Sequence, residues 1–85
     1  MVLPAMDEVE SALRRDWSPQ LIETYGVLGD DNLDARLRRA ESWLDAHPND
    51  PYLLLTLGRM GVRLQLWSKA HAYLERFGLS ARYVP

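Results

Sequence analysis

The stretch DPYLLLTLGRMGVRLQLWSKAHAYLE, residues 50–75, decides how the chain folds. A membrane span needs about 20 nearly charge-free residues. Here Arg59, Arg63 and Lys69 interrupt the apolar run, and Gly58 and Gly61 lie inside it, so the stretch reads as a water-soluble element. Asp50 is a good N-cap and Pro51 a good first helical residue, and Leu54, Leu57 and Leu64 follow at helical spacing. Trp67, Ala70, Tyr73, Leu74 and Phe77 then form the stripe of another helix, which Gly78 should end.

The same marks occur upstream. Ser18-Pro19 leads to Tyr25-Gly26 as Asp50-Pro51 leads to Leu57-Gly58, at an offset of 32 residues. Ala40 precedes Trp43-Leu44 as Ala70 precedes Tyr73-Leu74, at an offset of 30, so the difference falls in the turn-rich segment from Gly26 to Asn32. Leu33, Leu37, Ala40 and Leu44 are spaced as one face of a helix, and His47-Pro48-Asn49-Asp50-Pro51 stops that helix and starts the next. Nearer the N-terminus, Met6, Val9 and Leu13 line a helix that has Asp7 and Glu8 near its positive end and Arg14 and Arg15 near its negative end. No stretch alternates as a strand would. The expected organisation is one all-α domain over 1–85: a trailing half repeat at 5–16, repeats at 18–48 and 50–78, and a tail at 79–85. Within each pair of antiparallel helices, the apolar-Gly mark and the small Ala40 or Ala70 should let the helices approach closely. The leading helix reads as the second half of a repeat whose first half is missing, so the chain is expected to belong to a longer array.

Composition narrows the function classes. Eighty-five residues make one small domain, and a net charge of −2 gives no electrostatic footprint for nucleic acid. Without cysteine there is neither a disulfide nor a thiolate metal site. The start, MVLPAMDEVE, lacks the basic and apolar regions of a signal peptide or anchor.

A two-helix unit of this period with these marks resembles the tetratricopeptide repeat. About five helices in a short right-handed solenoid fragment are then implied. Leu57-Gly58, Ala70 and Leu74 stand where that motif places them, and Trp67 takes its aromatic position in the turn between the helices. Gly61 stands where the motif usually has tyrosine, and Phe77 where it usually has a small residue. More specifically, LRRDWSPQLIETYG, RRAESWLDAHPNDPYLLLTLGRM and QLWSKAHAYLE, over roughly residues 13–75, resemble the C-terminal repeat region of the proteobacterial HemY family, associated with protoheme biosynthesis. The resemblance implies a bacterial inner-membrane protein whose transmembrane helices precede this part. It implies a non-enzymatic scaffolding or interaction module for a protein or peptide, with no cofactor of its own. After Glu75 the sequence RFGLSARYVP departs from the family pattern.

Candidate sites follow from the helical register. With Leu57-Gly58 as anchor, Tyr52, Leu55, Arg59, Val62 and Arg63 fall on the face that lines the concave groove of such arrays, with Gln20, Glu23 and Val27 as counterparts in the first repeat. Arg59 and Arg63 are one turn apart and are suited to clamp a carboxylate of a peptide, or a haem or porphyrin propionate; the plainer reading is that they only keep the face wet. A generic adaptor unrelated to haem, or a tetrapyrrole-binding module, is the alternative function. His47 and His71 are read as surface structural residues, since no metal-ligand spacing is present. Asp34 with Arg38 is an i, i+4 pair, and Arg36, Arg38 and Arg39 form a solvated face. Trp43 and Trp67 are read as packing between helices. Apolar ends, including Phe77 and Tyr83 at the C-terminal side, suggest a homodimer in concentrated solution.

Overall fold

The computed structural model describes residues 6–27 and 32–82, with side chains over 8–26 and 32–79. Five helices pack against one another as an all-α, helical-repeat-like fold: α1 (Met6–Arg15), α2 (Pro19–Val27), α3 (Leu33–Ser42), α4 (Pro51–Arg63) and α5 (Trp67–Arg82). A single 3-10 turn, Trp43–Asp45, continues α3. No strand occurs among the described residues.

Local chemistry accounts for both ends of α4 and the start of α2. Asp50 is an extended N-cap whose Oδ1 accepts from the backbone N–H of Tyr52 at 2.9 Å and of Leu53 at 3.1 Å, and Pro51 follows where its missing N–H costs nothing. Ser18 holds the equivalent position before α2, with its carbonyl accepting from Ile22 N–H at 3.1 Å. Its hydroxyl donates to the Gln20 side chain rather than capping the backbone. α4 ends in a Schellman turn: Gln65 N–H donates to Val62 O at 3.0 Å and Leu66 N–H to Gly61 O at 2.8 Å, which forces Gln65 to a φ of 59°. α5 passes through Gly78 and continues to Arg82, so the glycine is no helix stop and residues 79–82 are no loose tail. Gly78 keeps a helical backbone, without the left-handed φ by which a glycine ends a helix.

α2 and α4 lie side by side and run the same way. Trp17, just before α2, donates its indole N–H to Asp50 Oδ2 at 2.7 Å at one end. At the other, Arg63 donates to Gly26 O at 2.6 Å. Between them a Cβ on Gly26 would stand 2.7 Å from the Thr56 methyl, so the glycine sets how closely the two helices meet. The core forms where α1, α2, α3 and α4 converge: Val9, Leu13, Ile22, Tyr25, Leu33, Leu37, Ala40, Leu53, Leu57 and Met60 are all buried in one cluster. The Met6 side chain and Tyr83 lie outside the described residues.

α4 and α5 form an antiparallel hairpin in which two glycines of α4 face α5. Gly58 accommodates Leu74, a side chain that can shift. Gly61 meets the backbone of Ala70: a Cβ there would lie 3.1 Å from Ala70 Cβ and 3.2 Å from its Cα. The departure from the repeat motif at Gly61 thus falls where α4 meets the backbone of α5 rather than a side chain that can shift, and a tyrosine could not fit there. On α5 only Ala70 is buried, Tyr73 and Phe77 are half-buried, and Leu74 is 37% and Trp67 62% exposed. Trp67 is therefore not packed between helices among the described residues, since no described element lies against it. Trp43 does pack, 5.0 Å from the Tyr25 ring and 5.8 Å from Trp17.

Candidate binding groove

Because α2 and α4 are parallel neighbours, the side of α4 turned away from the core opens onto a shallow groove beside α2. About 460 Å³ of space there is lined by Gly26, Arg59, Val62 and Arg63. Three of the eight groove residues expected from the sequence are thereby brought together at the C-terminal end of the helix pair. Tyr52 (44% exposed) and half-buried Leu55 continue the same face of α4 towards its start. Gln20 and Glu23 are exposed on α2. Val27 ends α2, and its side chain lies outside the described residues.

The two arginines are not equivalent. Arg63 reaches across to Gly26 O, so its cation sits at the negative end of the α2 dipole and joins the two helices. Arg59 is exposed and makes no hydrogen bond or ion pair among the described residues. A clamp made of both would have to draw Arg63 partly from its carbonyl, whereas Arg59 is available as it stands. The sequence gives no hint of this difference, since the acceptor lies 37 residues away. It also conceals Thr56, a buried polar residue whose methyl fills the space beside Gly26 and whose hydroxyl makes a long 3.5 Å contact to Ile22 O.

At the opposite end of the helix pair, an aromatic stack joins the residue before α2 to the turn between α3 and α4. Trp17 lies flat on His47, with ring centroids 3.7 Å apart and an interplanar angle of 8°, and meets Trp43 edge-on. His47 is thus a half-buried stacking partner rather than a surface residue. His71 is exposed and pairs with Glu75 at 3.3 Å. Arg38 pairs with Asp34 at 3.9 Å, and Arg39 with Glu10 at 3.2 Å, both at exposed arginines. Arg36 departs from the expected solvated face: it is buried, with its guanidinium 5.8 Å from the centre of the Tyr25 ring, because the helix turns it inward with Leu33 and Leu37. Among the described residues no cluster of three metal-ligating side chains occurs, and no helix is long and apolar enough to cross a membrane.

The class these observations define is an all-α, helical-repeat-like domain with an open groove. No family model, curated protein or solved structure matches the chain.

Proposed function

We propose that the chain is a tetratricopeptide-type interaction module, without catalytic activity, that takes an acidic segment of a protein partner along the groove beside α4. The observation that carries this reading is Arg59: an unpaired cation in a groove whose neighbours, Val62 and Gly26, are apolar. A carboxylate there gains a charge-assisted hydrogen bond while the adjoining chain covers Val62, Leu55 and Tyr52. The resemblance to the HemY repeat region supports placing this module in a bacterial inner-membrane protein associated with haem synthesis, as a scaffold rather than an enzyme.

Fluorescence anisotropy with a labelled acidic peptide tests the groove. Arg59→Ala is expected to weaken binding on the order of tenfold, as the loss of one charged hydrogen bond would, and to leave the thermal unfolding midpoint in place because the side chain is exposed. Unchanged binding removes the groove reading. Titration with haem and protoporphyrin, followed by absorbance, separates a tetrapyrrole binder from a protein-binding module.

A further inference from the structure

The repeat supplies an internal control for burial. Leu37 on α3 and Trp67 on α5 are equivalent at the 30-residue offset, yet Leu37 is 2% exposed and Trp67 62%. In the first unit α4 packs on α3, whereas the matching flank of α5 has no neighbour among the described residues. That flank carries Trp67, His71 and Gly78, with Leu74, which also packs on Gly58 of α4, at its inner edge; the four are spaced four, three and four along one side of the helix. Leu66, 41% exposed, adds apolar surface just before α5.

Gly78 stands apart from the other glycines in the described helices. Gly26, Gly58 and Gly61 each face a side chain or backbone that a Cβ would crowd, whereas nothing lies within 4 Å of a Cβ on Gly78. It sits inside a helix, where glycine costs about 1 kcal/mol relative to alanine. Nothing among the described residues requires a glycine there. A close neighbour from outside would.

The stripe is symmetric about its midpoint, so it reads with the same spacing from either end. Two copies of α5 laid antiparallel across a two-fold axis bring each Trp67 over the partner's Gly78 and each His71 beside the partner's Leu74. The largest side chain of the stripe meets the residue that has none, twice. Hydrogen bonding is also complementary: His71 and Glu75, a pair within one helix, lie on the same edge of the stripe, and the antiparallel register brings each His71 imidazole near the partner's Glu75 carboxylate. On its other flank α5 already takes an antiparallel helix at glycine-mediated distance, through Gly61 and Ala70.

We propose that the outer stripe of α5 is the interface of an antiparallel homodimer in which the exposed Trp67 indole of each copy seats on the partner's Gly78. The interface uses neither Arg59 nor Arg63, so it stands or falls independently of the groove.

Sedimentation velocity of the full chain over a wide concentration range, with a reciprocal exchange, tests the pairing. The unaltered chain should pass from monomer to dimer as concentration rises. Trp67→Gly opens two gaps and Gly78→Trp makes two clashes, so each alone should weaken association on the order of tenfold or more. The double variant restores one large and one small residue at each contact and should recover dimerisation relative to both singles. Both positions are exposed, so helicity by circular dichroism should persist throughout and separate a lost interface from a lost fold. An unaltered chain that stays monomeric at every concentration overturns the proposal. A dimer indifferent to both single changes overturns it as well, since its contact would lie on another face, and weakened singles without recovery in the double variant would exclude this register.

Discussion

Gln65 holds a left-handed backbone at φ 59° because the Schellman turn after α4 needs one there, and a side chain with a Cβ is strained in that region. Glycine adopts it freely. Gln65→Gly should therefore stabilise the domain by about 0.5–1 kcal/mol, the strain relieved being offset in part by the greater freedom of glycine in the unfolded chain. A higher urea midpoint at constant slope is the expected reading; a lower one would mean that the exposed Gln65 side chain contributes more than its backbone costs. Asp50 shows the opposite economy, with one carboxylate serving two elements. One oxygen caps α4 and the other accepts the indole N–H of Trp17. Asp50→Ala removes a cap, at about 0.5–2 kcal/mol, and leaves a half-buried N–H without its acceptor, at about 1 kcal/mol or more. The expected loss is about 1.5–3 kcal/mol, together with a change in tryptophan emission as Trp17 loosens from His47. If the emission does not move, Trp17 is held by stacking alone.

Between elements, the hairpin of α4 and α5 depends on two small residues meeting. Ala70→Leu would drive a branched side chain into the backbone opposite Gly61, and such overpacking costs roughly 1–3 kcal/mol. Thermal unfolding with no loss of stability would show that α5 can slide outward without penalty. The small marks at Gly58 and Ala70, the capped proline at Asp50-Pro51 and the stripe Leu33, Leu37, Ala40 were legible in the sequence because each depends on neighbours within a turn or two. The role of Gly61 was visible only as a departure, since a repeat motif records what a position usually holds and not what its opposite residue permits. Gly78 was misleading for a related reason: a glycine near the end of a periodic run resembles a helix stop, and only the backbone distinguishes one in helical conformation from one in left-handed conformation. The aromatic stack, the tie from Arg63 to Gly26 and the inward turn of Arg36 were not legible, because they join residues far apart in the chain or depend on a helix's exact rotation. Of the groove, the face of α4 was readable from register alone, whereas the inequality of Arg59 and Arg63 required the position of α2.

At the scale of the whole molecule, two tyrosines tie the fold together in ways that hydroxide can undo. Tyr25 is fully buried at the centre of the core, with its hydroxyl donating to Arg36 O over 3.4 Å. Burial pushes its pKa up to about 12, the charge of Glu10 adds to the rise, and Arg36 and Arg39 oppose it. Tyr73 donates to Glu41, which also pairs with Lys69 at 3.1 Å, and this cluster binds α5 to α3. Its pKa is raised as well, first by burial and then by the hydrogen bond and charge of Glu41. An unfolded tyrosine loses its proton near pH 10. Between about pH 10 and 12 the unfolded chain therefore binds fewer protons than the folded one, so stability falls as pH rises through that window. The contribution is fully present below about pH 10. It is lost once pH passes the folded value, and for Tyr25 it amounts to about 2–3 kcal/mol. Urea unfolding at a series of alkaline pH values should show this fall, and tyrosinate absorbance should appear in step with unfolding rather than before it. Tyr25→Phe cannot ionise at the core, so its stability should decline less steeply over the same window, from a starting value lowered by the missing hydrogen bond. If Tyr25 ionises near pH 10 with the helices intact, water reaches its hydroxyl, and the core formed by α1, α2, α3 and α4 opens far more readily than its packing implies.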